Sequence, residues 1–301
     1  MDSDLLAVHS VDRFELAVPD LAQAERFYAA FGLEVARQPD ALVIGAAGAD
    51  HAVMRVTRGE RKKLLAVRFG VHPGQLARFA EHLRARGIAS ATNSPRTLSF
   101  RDPDGLAIEL VETRKTSPDA PMSPQPRGPA PKRSAAAAVR PAGLSHLLLF
   151  TADVGRAIDF YRDALGLRLS DRAGSNIAFL HTPHGSDHHL VAFVTSDGPG
   201  LHHSSWRVRS LDEVGHGAMQ MAAQGFDQGW GVGRHVLGSN YFYYVRDPWG
   251  GWAEYSWDMD FIAAGAEWPA GDHEDEDAFY IWGPPPPAGF ADNTELTAPA
   301  V

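Results

Sequence analysis

His146, His203 and Glu254 are the residues of this 301-residue chain whose types could together hold a metal ion. An internal comparison singles them out. VDRFELAVPDLAQAERFYAAFGLEV (11–35) aligns with LSHLLLFTADVGRAIDFYRDALGLRL (144–169), and SFRDPDGLAIEL (99–110) aligns with YVRDPWGGWAEY (244–255). In that alignment His146 stands opposite Arg13, His203 opposite Ala66 and Glu254 opposite Glu109. A duplicated module is its own control. Positions kept in both copies serve the fold, and positions that differ are candidates for function. Two imidazoles and a carboxylate on one face suit ferrous or manganous ion and leave coordination positions open. Taken singly, each of the three reads as an ordinary packed or exposed side chain. Histidine at two corresponding strand positions is harder to assign to packing, because the first copy packs without either. Glu109 makes the carboxylate the least diagnostic of the set. Arg13 is expected to lie against Glu109, a guanidinium in the place of a cation.

The elements that must position these groups follow from periodicity. Each copy opens on a short apolar strand (14–18 and 147–151). An Asp-initiated helix follows, with Ala24, Phe27, Tyr28 and Phe31, or Ala157, Phe160, Tyr161 and Leu165, at helical spacing. Asp20 and Asp153 suit the N-cap, and Gly32 and Gly166 suit the residue that ends a helix. A second helix is expected at 73–86 and 211–224, and paired strands turn at DPDG (102–105) and DPWG (247–250). This order predicts an α+β fold: two tandem modules, each of paired βαβββ units forming a curved mixed sheet. The expected division is an N-terminal metal-free module (1–115), a Pro/Ala-rich linker (116–142), a C-terminal metal-binding module (143–261) and an acidic, Pro-rich tail (262–301). Proline removes backbone donors, so the linker is expected to run extended across the surface.

Composition bounds the rest. At 44% hydrophobic, the chain has material for two cores. The net charge of −9 and the lack of a basic stripe argue against nucleic acid and anionic membranes as partners. The absence of cysteine excludes disulfides, thiolate ligands and cysteine nucleophiles. The first ten residues do not read as a signal peptide, and no apolar run approaches the ~20 residues of a membrane span. A soluble cytoplasmic protein is the expectation.

The motifs resemble a known family. GRHVLGSNYFYYVRDPWGGWAEYSWD (233–258), with His235, Tyr244 and Glu254 at compatible spacing, and SDHHLVAF with GPGLHH (186–203), look like a two-domain type I extradiol ring-cleaving dioxygenase of the vicinal oxygen chelate superfamily. The resemblance covers about residues 8–260. It implies that His146, His203 and Glu254 are metal ligands, for Fe(II) first and Mn(II) second. It implies His189 as the acid/base residue, and His235 and Tyr244 as hydrogen-bond partners of a bound catecholate. Asp247 would stand behind the ligands or hold its turn. Neighbours on a strand face opposite ways, so only one of His202 and His203 should reach the site; the resemblance selects His203, and His189 over His188. His181 and His184 read as loop residues near the pocket. Trp206, Trp230, Trp249 and Trp252 are candidates to line it.

The implied reaction is extradiol (meta) cleavage of a catechol-type diol with O2 to a muconic semialdehyde-type product. The implied partners are a small aromatic diol, O2 and other copies of the chain in a homo-oligomer. No arginine precedes Arg234 in FDQGWGVG, which argues against a carboxylated substrate. The segment 277–287 could fold over the site mouth. The alternatives on the same fold are a glyoxalase-like metal-dependent isomerase or lyase, and a non-catalytic binding protein.

Overall fold

The computed structural model describes residues 5–49, 51–94, 96–123 and 129–296. Residues 1–4 of the leader reading, 124–128 of the linker and 297–301 of the tail lie outside the described residues. The first sheet is built from β1 (Ser10–Val18), β2 (Glu34–Gln38), β3 (Ala41–Gly45), β4 (Met54–Arg58), β5 (Lys63–Val71), β6 (Ala91–Ser94), β7 (Thr97–Arg101) and β8 (Ala107–Glu112). Its spatial order is β2-β3-β4-β1-β5-β8-β7-β6. Helix α1 (Leu21–Ala30) follows β1 and α2 (Leu76–Ala85) follows β5.

The second half repeats the scheme. It has β9 (Gly143–Thr151), β10 (Arg168–Ala173), β11 (Ile177–His181), β12 (Ser186–Asp187), β13 (Val191–Thr195), β14 (Gly200–Arg207), β15 (Gly229–His235), β16 (Tyr241–Arg246) and β17 (Trp252–Trp257). Helices α3 (Val154–Leu165) and α4 (Leu211–Ala223) follow β9 and β14. The tail adds β18 (Phe261–Ile262), β19 (Gly271–His273), the short helix α5 (Asp275–Ala278) and β20 (Tyr280–Trp282). The sheet order is β19-β10-β11-β13-β9-β14-β17-β16-β15-β20. Stripped of its two tail-derived edges, this is the order of the first sheet. In each, the two central strands are antiparallel, and each pairs on its outer side with a parallel strand. The fold is therefore α+β, with two βαβββ units per curved sheet, as expected.

Local chemistry sets the element ends. Asp20 Oδ1 accepts from the amides of Ala22 and Gln23, and Asp153 Oδ1 from that of Arg156. Gly32 and Gly166 take φ of +94° and +72°, a conformation that costs a side chain dearly. The turn aspartates hold their own loops: Asp102 Oδ1 accepts from Asp104 and Leu106, and Asp247 Oδ1 from Trp249 and Gly251.

The expectation of two cores is corrected. One buried apolar cluster runs through both halves, from Val8 and Phe14 to Trp206 and Tyr255. The reason is that each FY helix reaches across. Phe31 stacks on Tyr255 with ring centroids 3.9 Å apart, and Tyr161 O–H donates to Asp102 at 3.1 Å. Lys62 Nζ donates to Asp247 at 2.6 Å from the other side. The later part of the linker segment is docked as well. Val139 is buried, and Gln220 holds both its amide and its carbonyl. No helix among the described residues is long and apolar enough to cross a membrane.

Candidate metal centre

The candidate ligands lie on three adjacent strands: His146 on β9, His203 on β14 and Glu254 on β17. Neighbouring strands stand about 4.8 Å apart, so side chains on one face converge. His146 Nε2 and His203 Nε2 are 3.1 Å apart, and each lies 3.4 Å from Glu254 Oε2. All three side chains are buried. Asn240 donates to Glu254 Oε1 at 3.0 Å, whereas Oε2 is buried with no hydrogen-bond partner among the described residues. A buried carboxylate oxygen left bare beside two imidazole nitrogens is costly unless a cation completes it. The donor set therefore fits a divalent metal. Burial would raise the Glu254 carboxyl. The attraction of the His146 and His203 imidazoles, each 3.4 Å from Oε2, outweighs it and holds the carboxyl well below the usual range. Burial pushes the His203 imidazole down to about 4.

The sheet registers repeat the sequence alignment. Arg13 pairs Arg68, and Arg68 pairs Glu109, in the first sheet; His146 pairs Ser205, and Ser205 pairs Glu254, in the second. The guanidinium expected against Glu109 is present but belongs to Arg68, 2.6 Å from the carboxylate, and not to Arg13. Arg68 lies directly across the ladder from Glu109, whereas Arg13 is one strand further away.

Both members of the His202–His203 pair face the cavity, contrary to the expectation of opposite faces. The β9–β14 register slips between Leu201 and His203, so His202 is the extra residue of a bulge. The same slip occurs at Leu65 in the first sheet. His203 alone of the two meets His146 and Glu254; its Nδ1 lies 2.8 Å from His202 Nδ1.

The cavity has a volume of about 240 Å³. His189, in the loop before β13, lines it, with its ring centroid 4.1 Å from that of His146. Burial, then the neighbouring His146, keeps His189 well below its ordinary pKa. His188 points away and bonds Asp171 at 2.8 Å. His235, at the end of β15, and Tyr244, on β16, line the opposite wall. His235 Nδ1–H donates to the Phe279 carbonyl at 2.8 Å, and Tyr244 O–H donates to His235 Nε2 at 2.9 Å. Burial pushes the Tyr244 hydroxyl well above its ordinary value, so it stays protonated. The apolar wall comprises Leu148, Ile177, Phe179, Val194, Leu237, Phe279 and Phe290.

Several expectations are revised. None of the four tryptophans lines the cavity. Trp206 is core, Trp249 lines a separate groove, and Trp230 and Trp252 pack behind Tyr244 and Phe290. His181 ends a strand and bonds Ser170, and His184 bonds the Ala7 carbonyl; neither lines the cavity. Asp247 holds its turn and Lys62. Residues 278 and 279 do cover the cavity, as does Phe290. Sequence reasoning missed Asn240, Asp171 and Phe290. No periodicity marks a loop asparagine or a tail phenylalanine that reaches the site only through tertiary contact.

Residues 143–255 match the model of the Glyoxalase/Bleomycin resistance protein/Dioxygenase superfamily. The chain is 51% identical to Metapyrocatechase 2 of Cupriavidus necator, over 96% of this chain and 93% of that one. It is 29% identical to Biphenyl-2,3-diol 1,2-dioxygenase of Paraburkholderia xenovorans, over 60% and 64%. Its fold is similar to the Mn(II)-bound glyoxalase from Novosphingobium aromaticivorans, with a TM-score of 0.75, 23% identity and 92% of both chains covered. It is similar also to an extradiol ring-cleaving dioxygenase from B. fuscum, with a TM-score of 0.77, 20% identity, and 96% and 83% covered.

Proposed function

The chain belongs to the glyoxalase/bleomycin resistance protein/dioxygenase superfamily, and from that premise we propose that it is an extradiol dioxygenase. It cleaves a catechol beside its two hydroxyls and places both atoms of O2 in a muconic semialdehyde-type product. The observation that carries the reading is the bare, buried Glu254 Oε2 facing two imidazole nitrogens at the foot of an apolar cavity. We assign His146, His203 and Glu254 as the ligands of Fe(II), with Mn(II) second. Such an ion, when bound, would lower the pKa of a diol hydroxyl and hold diol and oxygen in one coordination sphere.

The chain's own residues do the rest. His189 is neutral and buried beside His146, placed to take a hydroxyl proton and return it later. Tyr244, as a hydroxyl, offers its O–H to a catecholate oxygen in place of His235 Nε2. His235, held through Nδ1 by the Phe279 carbonyl, keeps that phenol aimed until the diol enters. The apolar wall takes the ring and excludes water. Among the described residues no lysine or arginine lines the cavity, so the favoured substrate carries no carboxylate. A buried carboxylate there would lack a cationic partner.

The test is anaerobic loading with Fe(II) or Mn(II), then catechol and oxygen, followed by the yellow ring-cleavage product. Turnover of catechol and alkylcatechols is expected, with carboxylated catechols at least about tenfold poorer in kcat/KM. No metal uptake and no product from any of them would sink the assignment.

A further inference from the structure

Asp171, on β10, receives four donors. Oδ2 accepts from His188 Nε2 at 2.8 Å and Trp268 Nε1 at 3.3 Å; Oδ1 accepts from His273 Nε2 at 3.0 Å and the Gly271 amide at 2.7 Å. A carboxyl that accepts this many hydrogen bonds is an ionised acceptor. Burial opposes that charge, but the bonds from His188 and His273 prevail and hold the group at about 2. His188 is fully buried, and its Ser170-bonded carbonyl fixes its backbone. Its second ring nitrogen, Nδ1, lies 3.1 Å from His189 Nδ1.

The hydrogens in this row follow from its anionic end. A carboxylate accepts, so His188 Nε2 carries the hydrogen between them. For a neutral His188, Nδ1 is then the acceptor, and the hydrogen between the two Nδ1 atoms belongs to His189. That leaves His189 Nε2 as the bare nitrogen on a ring that lines the cavity. We infer that Asp171 and His188 are positioning residues, an acid–imidazole pair that holds His189 in the tautomer with Nε2 free for a substrate proton. The logic is that of a base oriented by a third group. The role of His189 rests on the dioxygenase reading; the tautomer itself does not.

The test therefore has two arms. Long-range nitrogen–proton NMR on the metal-free protein reads the tautomer directly: Nδ1–H on His189 is expected in the wild type. Nε2–H on His189 in the wild type overturns the inference whatever the activity. In Asp171→Asn the amide can donate to His188 Nε2, which reverses the row. The second arm is turnover of catechol by iron-loaded protein. Asp171→Asn is expected to lower kcat about 100-fold, with KM and iron content within about threefold of wild type. His188→Leu, without an acceptor, should fall as far. His188→Asn, whose Oδ1 can stand where Nδ1 stood, should recover most of kcat. Equal impairment of His188→Leu and His188→Asn, or losses of kcat that track losses of iron, would overturn the positioning role. A wild type that shows the expected tautomer but cleaves no catechol would count against the parent reading alone.

Discussion

Ser205 occupies, in the second sheet, the register position that Arg68 holds in the first. Its small side chain leaves open the space beside Glu254 that a guanidinium fills beside Glu109. Ser205→Arg is therefore expected to abolish metal uptake, measured by elemental analysis, while the far-ultraviolet dichroism of the fold is retained. Metal bound at wild-type stoichiometry would contradict this. The adjacent histidines separate by role at the same scale. His203→Ala should eliminate metal binding, because it removes one of three donors. His202→Ala should keep the metal and alter KM, because His202 lines the cavity wall and is not one of the three donors. The reverse pattern in metal analysis would contradict the assignment of His203.

At the scale of elements, the bulge in β14 decides what the strand presents. It turns His202 inward beside His203, where strict alternation would send it out. The tail is the other deciding element. β20 pairs with β15 beside His235, and Phe290 packs on Trp230, Tyr244 and Trp252. Phe290→Ala removes a buried ring from that cluster. A loss of about 3 kcal/mol in urea unfolding is expected, together with a raised KM for catechol. Wild-type values for both would mean that the tail is dispensable to the cavity. The strands, helices and DP-x-G turns of each half were legible in the sequence, because they rest on local periodicity and capping. The bulge was not, since an extra residue in a ladder has no period of its own. Nor was the seat of Phe290, which depends on where a long loop returns.

At the scale of the molecule, the FY helices and turn aspartates interlock the halves through Phe31–Tyr255, Tyr161–Asp102 and Lys62–Asp247. A continuous core predicts one cooperative unfolding transition. Two resolved transitions by calorimetry would argue for independent modules. Acid sensitivity follows from buried imidazoles. Burial, aided by His72, pushes His9 down to about 4, and burial, aided by His188, does the same to His181. The unfolded chain binds those protons first, near 6.5, so stability is lost as pH falls from about 6.5 towards 4. Asp102 acts in the opposite sense. Burial lifts it to about 6, so its contribution is present at low pH and fades as pH rises through 6. Two histidines against one aspartate leave a net loss in acid. The Tm of the metal-free protein should fall between pH 7 and pH 5, and His9→Asn should flatten the slope; a flat wild-type profile would contradict this.

By itself the sequence determined the duplication, the α+β module and the three residue types that differ between its copies. Each of these is written in local pattern or in residue identity at aligned positions. Only the tertiary structure decided that Arg68 and not Arg13 neutralises Glu109, that His202 shares the cavity, and that Asp171 stands behind His188. Those facts depend on cross-strand register and on contacts between segments apart in the sequence. Side-chain convergence across a curved sheet is a property of the folded ladder, and no spacing along the chain encodes it.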